Sequence, residues 1–399
     1  MDDLGRALAG QNDYIMMGGG NPGHLPELQN IFKQRLLEIA DNDEHFRELV
    51  GIYDPPQGNL RFIKSCAALL RKEYGWDIGP ENICLTNGSQ TGFFILFNMF
   101  GGEYEDGTKK NIRLPLAPEY IGYTDLGLGN DFFVTTKPRI EYLDEHLFKY
   151  RVDFEAIDIG DETGALCVSR PTNPTGNVVT DSEVFRLLEL AHEHDIPLIL
   201  DNAYGVPFPG IIHTKATPVW DEHVIKCLSL SKLGLPAVRT GIIIAREDII
   251  KSVSALNAII SLSPGSFGAM LTEKLVSSGE IITIGANMIR PFYHKKAQEA
   301  LACVQKELAG TPYRVHLPEG AMFLWLWFED MPISSLELYG RLKKRGVLVV
   351  SGHYFFPGLK KKWKHTEECI RLTYSQCDSD VARGIAIIGE EIKTIYQHG

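Results

Sequence analysis

No pair of cysteines with C-x-x-C spacing occurs anywhere in the 399-residue chain. The seven cysteines (Cys66, Cys84, Cys167, Cys227, Cys303, Cys369 and Cys377) are odd in number, and several lie in apolar runs such as ALCVS. They read as free, buried thiols in a reducing compartment, which excludes a disulfide framework. Long hydrophobic runs are missing too. FFILFNMF and MFLWLWF fall far short of the roughly 20 residues that cross a bilayer. Positive charge is scarce: 40 Lys and Arg face 51 Asp and Glu, a net charge of −11. Nucleic acid and anionic membrane surfaces both demand a basic face, so neither is expected as a main partner. The opening MDDLGRALAG has no basic stretch followed by an apolar core, so it is no signal peptide, and a cytoplasmic location is expected. His192 and His194 flank a glutamate in AHEHD, but that run precedes a strand and reads as an exposed helix end. No metal is expected there. Repeats and low-complexity tracts are also lacking.

What is present is a globular balance, 44% hydrophobic and 23% charged, on a length that fits about two domains. Through the middle, short apolar strands alternate with helices. GSQTGFFILFNMF (88–100) opens with small polar residues and runs into an apolar helix. GALCVS (164–169), IPLILD (196–201), HVIKCLSLSK (223–232) and TGIIIA (240–245) have the length and composition of buried strands. DSEVFRLLELAHEH (181–194) is an amphipathic helix with an acidic first turn. This alternation predicts an α/β fold with a largely parallel sheet covered by helices on both faces. After about residue 280 the pattern changes to a long helix and then GAMFLWLWF, GVLVV and CIRLTY, a smaller α+β unit. The expected division is a large unit over 46–280 and a small one made of 1–45 with 281–399. The basic run KKKWK (360–364) reads as a solvated loop.

Polar residues cluster just after the middle strands. Asn173 follows GALCVS in SRPTNPTGN. Asp201 and Tyr204 end IPLIL in DNAYG. Lys232 follows KCLSL, and Arg239 comes seven residues later. The carboxyl edge of a parallel sheet is where ligands bind, and loops there carry function. A lysine amine that can form a Schiff base, a carboxylate for a pyridine nitrogen, donors for a ring hydroxyl and a helix N-terminus with an arginine for a phosphate together match pyridoxal phosphate. Asp201 would pair with the pyridinium nitrogen. Asn173 and Tyr204 would bond the ring hydroxyl, and Tyr120, in APEYIGY, would stack on the ring. The phosphate would sit on Gly88, Ser89 and Gln90 with Arg239 and either Ser229 or Ser231. Each string is common alone; the ordered set, each member placed after a strand, is specific.

With those residues in hand, the sequence resembles the fold-type I pyridoxal-phosphate aminotransferases of class I/II. The segments GGGNP (18–22), YDPPQG (53–58), LTNGSQ (85–90), LAPEYIGY (116–123), SRPTNPTGN (169–177), DNAYGVPFPGII (201–212), LSLSKLGLP (228–236), PEGAMFLWLWF (318–328) and HYFFPGL (353–359) carry the resemblance over nearly the whole chain. The longer strings are similar to the valine–pyruvate group within that superfamily. The resemblance implies a homodimer in which Tyr53 reaches the partner's phosphate. It also implies that Arg371 grips the substrate α-carboxylate, a bidentate task suited to guanidinium, with Asn173 beside it, and that backbone at Gly19 and Gly20 closes over the substrate. The lead-in before GGGNP is short for the group, which bears on N-terminal contacts and not on the chemistry.

The implied partners are small amino acids and 2-oxo acids, and the implied reaction is a two-stage transfer through one site. Valine or alanine would give up its amino group, and pyruvate or 3-methyl-2-oxobutanoate would take one. Lys232 would move the α-proton as general base and acid, its pKa lowered by burial and nearby cations. Asp201 would supply fixed electrostatic support, and Tyr204 would complete the catalytic set. Residues near Tyr14 and Ile15 and on the MFLWLWF strand are expected to shape a small aliphatic pocket. Rival readings are an aminotransferase of other aliphatic or aromatic amino acids, and a C–S lyase or decarboxylase on the same scaffold. A cofactor-binding regulator would need a DNA-binding module, and a dehydrogenase would need a G-x-G-x-x-G fingerprint.

Overall fold

The computed structural model describes residues 14–398. The segment 1–13, part of the N-terminal stretch assigned above to the smaller unit, lies outside the described residues. In chain order the strands are β1 (Ile15–Met16), β2 (Ile83–Thr86), β3 (Gly102–Glu103), β4 (Lys109–Leu114), β5 (Phe133–Thr135), β6 (Arg139–Tyr142), β7 (Leu147–Arg151), β8 (Thr163–Ser169), β9 (Leu198–Asp201), β10 (Val224–Ser229), β11 (Gly241–Ile244), β12 (Tyr313–His316), β13 (Phe323–Phe328), β14 (Val347–Leu348), β15 (Val350–Ser351) and β16 (Cys369–Thr373).

The main sheet runs β2-β11-β10-β9-β8-β4-β3, with β5 also on β4. Its pairings β4–β5, β4–β8, β8–β9 and β9–β10 are parallel. Strand β11 runs against both β10 and β2, and β3 against β4. The expected parallel sheet is therefore real in the middle and mixed at its edges. Its strands β2, β8, β9, β10 and β11 are buried on both faces because helices cover both. Along β8, Leu166 and Val168 enter one apolar cluster while Ala165 and Cys167 enter another. The first faces the amphipathic helix Asp181–Glu193, whose Val184, Leu187 and Leu188 fill it. That helix starts where the sequence says: Thr180 and Glu183 form a reciprocal capping box, which satisfies end N–H groups at about 1 kcal/mol. The second lies under helix Ser89–Phe100 through Phe93 and Phe97.

A second sheet runs β15-β16-β13-β12-β7-β6. Two of its strands, β6 and β7, come from residues 139–151, inside the range expected for the larger unit. Strand β12 pairs with β7 in parallel. Residues 15–16 pair with β14. One continuous buried cluster joins Phe62 and Leu228 of the main sheet's surroundings to Phe323 and Ile388 beside the second sheet. The two sheets thus share apolar packing, each buried Leu or Phe contributing about 2 kcal/mol.

Five of the seven free cysteines are buried, while Cys303 is half-buried and Cys377 exposed. Burial pushes the Cys66 thiol up to about 12. Among the described residues, no helix is long and apolar enough to cross a membrane.

Candidate active site

The carboxyl ends of β8, β9 and β10 open into one cavity of about 450 Å³. The antiparallel return of β11 matters here. The chain leaves β10 at Ser229, makes a short 3-10 turn over Leu230–Leu233 and comes back into β11 at Gly241. Gly241 lies opposite Ser229 and Thr86. Lys232 and Arg239 are thereby delivered to the same sheet edge as the end of β2, where Gly88 precedes helix Ser89–Phe100. The cavity is lined by Ser89, Gln90, Tyr120, Asn173, Asp201, Tyr204, Ser229, Ser231, Lys232 and Arg239, all read from the sequence. Gly19, Gly20 and Arg371 close it from the other side.

Lys232 Nζ donates to the Gly20 carbonyl at 2.7 Å and sits 5.1 Å from the Tyr204 ring centre. Burial, and then the positive charges of Arg371 and Arg239, pull its pKa down to about 8; Asp201 opposes them. A primary amine with that pKa is a usable nucleophile and base near neutrality. Asp201, 7% exposed, accepts from the Tyr123 hydroxyl at 2.6 Å and from the Ala203 N–H at 2.9 Å. Burial raises its pKa, while these hydrogen bonds and Lys232 work the other way. A carboxylate so placed is stabilised by any cationic N–H that enters the cavity.

Arg371, on β16, is held on several sides. Its Nη1 donates to Asn173 Oδ1 at 2.7 Å and its Nη2 to the Gly18 carbonyl at 2.6 Å. Its guanidinium stacks 4.2 Å from the Phe323 ring centre and 5.2 Å from that of Phe355. Burial lowers its pKa to about 10, which leaves it cationic at neutral pH. Its buried Nε has no hydrogen-bond partner. A fixed, desolvated guanidinium with a donor unused is suited to a carboxylate.

The anion end is built from backbone. Gly88 has φ 85°, a conformation that favours glycine, and a Cβ there would fall 2.1 Å from Arg239 Nη2. Arg239 has φ 50°, an unusual value for a side-chain-bearing residue. It donates to Ser231 Oγ at 3.3 Å and the Pro236 carbonyl at 3.1 Å. Gln90 turns aside: its amide donates to the Gly122 carbonyl at 2.8 Å. Ser229 Oγ accepts from the Ser231 N–H at 3.2 Å.

Two members of the constellation escaped sequence reasoning, although APEYIGY contains both. Tyr123 meets the Tyr120 ring edge-on at 5.4 Å and fixes Asp201 from behind. Glu119, fully buried, accepts from the Ser169 N–H at 2.8 Å and from the Ser169 hydroxyl. Burial raises its pKa to about 8, with the negative charge of Asp201 adding to the effect. The signal was a polar residue spaced three from Tyr120 and one directly before it.

Two expectations fail. Tyr14 and Ile15 do not line the cavity; Ile15 pairs with Val347 and is buried in the shared core. The MFLWLWF strand backs the site through Phe323 instead of lining it. The apolar wall comes from Phe93, Ile121, Pro171, Ala203 and Val350. Tyr53 lies outside the cavity of this chain and is 82% exposed.

A ligand with a phosphate, a ring nitrogen and an aldehyde fits these groups one for one: the Gly88–Gln90 turn with Arg239, Asp201, and Lys232. The profile of the family described as aminotransferase class I and II matches residues 27–386. A valine–pyruvate aminotransferase of Escherichia coli (strain K12) is 49% identical over 396 residues, covering 99% of this chain and 94% of that protein. The crystal structure of valine–pyruvate aminotransferase from Salmonella typhimurium LT2 superposes with a TM-score of 0.92 at 47% identity, covering all of both chains. Aromatic-amino-acid aminotransferase 1 of Thermococcus litoralis is 27% identical over 400 residues, 97% of this chain and 89% of that protein.

Proposed function

The chain belongs to the class I and II aminotransferases and has their fold-type I architecture, and we propose that the amino group it moves passes between valine or alanine and the oxo acids pyruvate or 3-methyl-2-oxobutanoate. The observation that carries this reading is the cavity itself. Its cations among the described residues are Lys232, Arg239 and Arg371, each with a task, and Phe93, Ile121, Pro171, Ala203 and Val350 add apolar wall. With the α-carboxylate on Arg371, a substrate side chain meets hydrocarbon and not a second charge. The 49% identical relative named for valine and pyruvate supports the same choice.

Pyridoxal phosphate, when bound, supplies an electron sink for the pair left at the substrate α-carbon. Lys232 would carry its aldehyde, Asp201 would hold the proton on its ring nitrogen, and Asn173 and Tyr204 would face its ring hydroxyl. Tyr120 would cover its ring, and Gly88, Ser89, Gln90, Ser229, Ser231 and Arg239 would surround its phosphate. Lys232 Nζ, once free, takes the proton from the substrate α-carbon. Arg371 orients that carbon by fixing the carboxylate, with Asn173 bracing the guanidinium, and the carbonyls of Gly18 and Gly20 hold the two cationic side chains in place. Tyr53 belongs to a homodimer interface in this reading, which its 82% exposure supports. Neighbouring Ile52 and Val50 are also exposed apolar residues. The five buried free thiols support a reducing, cytoplasmic setting.

The test is an absorbance spectrum of the purified protein before and after L-valine and then pyruvate. A cofactor band that changes with valine and returns with pyruvate is the expected result. A band that valine leaves untouched would discard the substrate and keep the cofactor. No band after reconstitution would discard both. Release of products without need of an acceptor oxo acid would favour a lyase on the same scaffold.

A further inference from the structure

The geometry points to a transition-metal site at His192, Asp221 and His223, at the opposite edge of the main sheet from the active site. In sequence, AHEHD reads as an exposed helix end, and His194 does end the helix Asp181–Glu193. The sequence could not pair His192 with a second segment. Asp221 and His223 lie in the turn that enters β10, a strand whose other end delivers Lys232. His192 Nε2 is 3.0 Å from Asp221 Oδ1, and His223 Nδ1 is 3.8 Å from the same oxygen. All three candidate ligand atoms lie within 4.8 Å of one another. Bonds of about 2.0–2.1 Å in a tetrahedral zinc site put its ligand atoms about 3.3 Å apart, between the two separations observed.

Three further features fit ligation better than a chance cluster. His223 Nδ1 is buried and has no hydrogen-bond partner, so the nitrogen aimed at the cluster is unused. The other nitrogen, Nε2, faces Asp195 Oδ1 at 3.3 Å. A carboxylate on the far nitrogen is the arrangement that orients and strengthens a ligating imidazole. The turn that carries Asp221 and His223 is also pinned. Asp221 Oδ1 accepts from the His223 N–H at 2.8 Å, and the His223 carbonyl accepts from the Leu198 N–H at 2.8 Å. Two imidazoles and a carboxylate select zinc, nickel, cobalt or copper over magnesium and calcium, which take oxygen ligands. Three protein ligands leave the fourth position to water. The ion would tie the end of the Asp181–Glu193 helix to the start of β10.

The experiment uses the holoenzyme, freed of metal by chelation, with zinc alone as titrant in a non-coordinating buffer. Calorimetry should give one ion per chain at micromolar affinity or tighter, with a rise in Tm. His192→Ala and His223→Ala should each weaken binding at least about 100-fold, and Asp195→Asn about 10–100-fold. His194→Ala, on the same helix end but outside the cluster, should bind as wild type. Tm without metal identifies any variant that is merely misfolded, and the remaining variants then decide. Absence of saturable binding by wild type would overturn the proposal. So would affinity that survives both histidine substitutions, since the ion would then sit elsewhere, as on the exposed Cys377.

Discussion

Tyr123 and Asp201 are 78 residues apart in sequence and share a 2.6 Å hydrogen bond, hydroxyl to Oδ2, with both side chains buried. The tyrosine donates to the carboxylate oxygen while the Ala203 N–H holds the other one. Asp201 is therefore held at both of its carboxylate oxygens. Replacing Tyr123 by Phe removes a hydrogen bond to a charged group, worth about 1.5–3 kcal/mol. Steady-state kinetics should show kcat for L-valine falling roughly 10–100-fold, with cofactor affinity reduced. Unchanged kinetics would mean that Asp201 is positioned by Ala203 and packing alone.

Lys232→Ala should retain its fold, by circular dichroism, and lose transamination by at least about 10⁴-fold. The wild-type apoenzyme carries a second signature. An amine attacks an aldehyde only when unprotonated, and the Lys232 pKa is lowered to about 8 by burial and by Arg371 and Arg239. The rate of cofactor uptake should therefore rise with pH up to about 8 and level off above it. A profile still climbing toward the ordinary lysine range would contradict the environment described.

Arg371→Lys keeps the charge and loses the planar fork. The KM for L-valine should rise, and kcat/KM should fall about 100-fold. An unchanged KM would move the carboxylate site elsewhere.

Val350 lies directly across from Arg371 in the β15–β16 register, so its side chain stands on the same face. With Ile121 it separates the active-site cavity from a neighbouring one of about 640 Å³, which reaches Tyr339 and Pro357. Val350→Ala should open that partition. The ratio of kcat/KM for L-leucine over L-valine should rise about 10-fold, the scale of a methylene or two in an apolar pocket. An unaltered ratio would place the side-chain pocket on another wall.

Buried histidines should add to the acid sensitivity of the fold. Burial lowers His316 and His365 to about 3, well under the usual 6.5. Between those values the unfolded chain binds protons that the folded chain does not. The stability they contribute is whole above pH 6.5 and is lost as pH falls toward 3, at a rate on the order of 1.4 kcal/mol per unit of pH and histidine. Urea denaturation at pH 7 and pH 4.5 measures the slope, which His365→Gln should flatten. An equal slope in both proteins would assign the acid sensitivity to other groups.

Much of this site was legible because its residues follow strands whose apolar runs are unambiguous. Asn173, Asp201 and Lys232 each come just after such a run, and the structure brings them to one edge. Tyr123 and Glu119 were less legible because they act behind the first layer, and a buried hydroxyl or carboxyl has no periodicity of its own. The pocket wall was misread for a different reason. Tyr14 and Ile15 are near Gly19 and Gly20 in sequence, but β1 pairs with β14 and turns Ile15 into the core. Strand partners separated by hundreds of residues leave no local pattern, and the same holds for β6 and β7, whose place in the second sheet depends on residues 313–316.

That last pairing sets an order of assembly on the ribosome. β7 is made long before β12, the strand it pairs with, so it must wait with an unpaired edge while the middle of the chain is synthesised. The edge β7 keeps meanwhile, LFKYR, carries Lys149 and Arg151, and charged side chains of that kind discourage strands of neighbouring nascent chains from adding to it. The C-terminal third, expressed alone, would lack β6 and β7 and present β12 as a bare edge, so a fragment cut at residue 281 should collect in aggregates while the full chain does not.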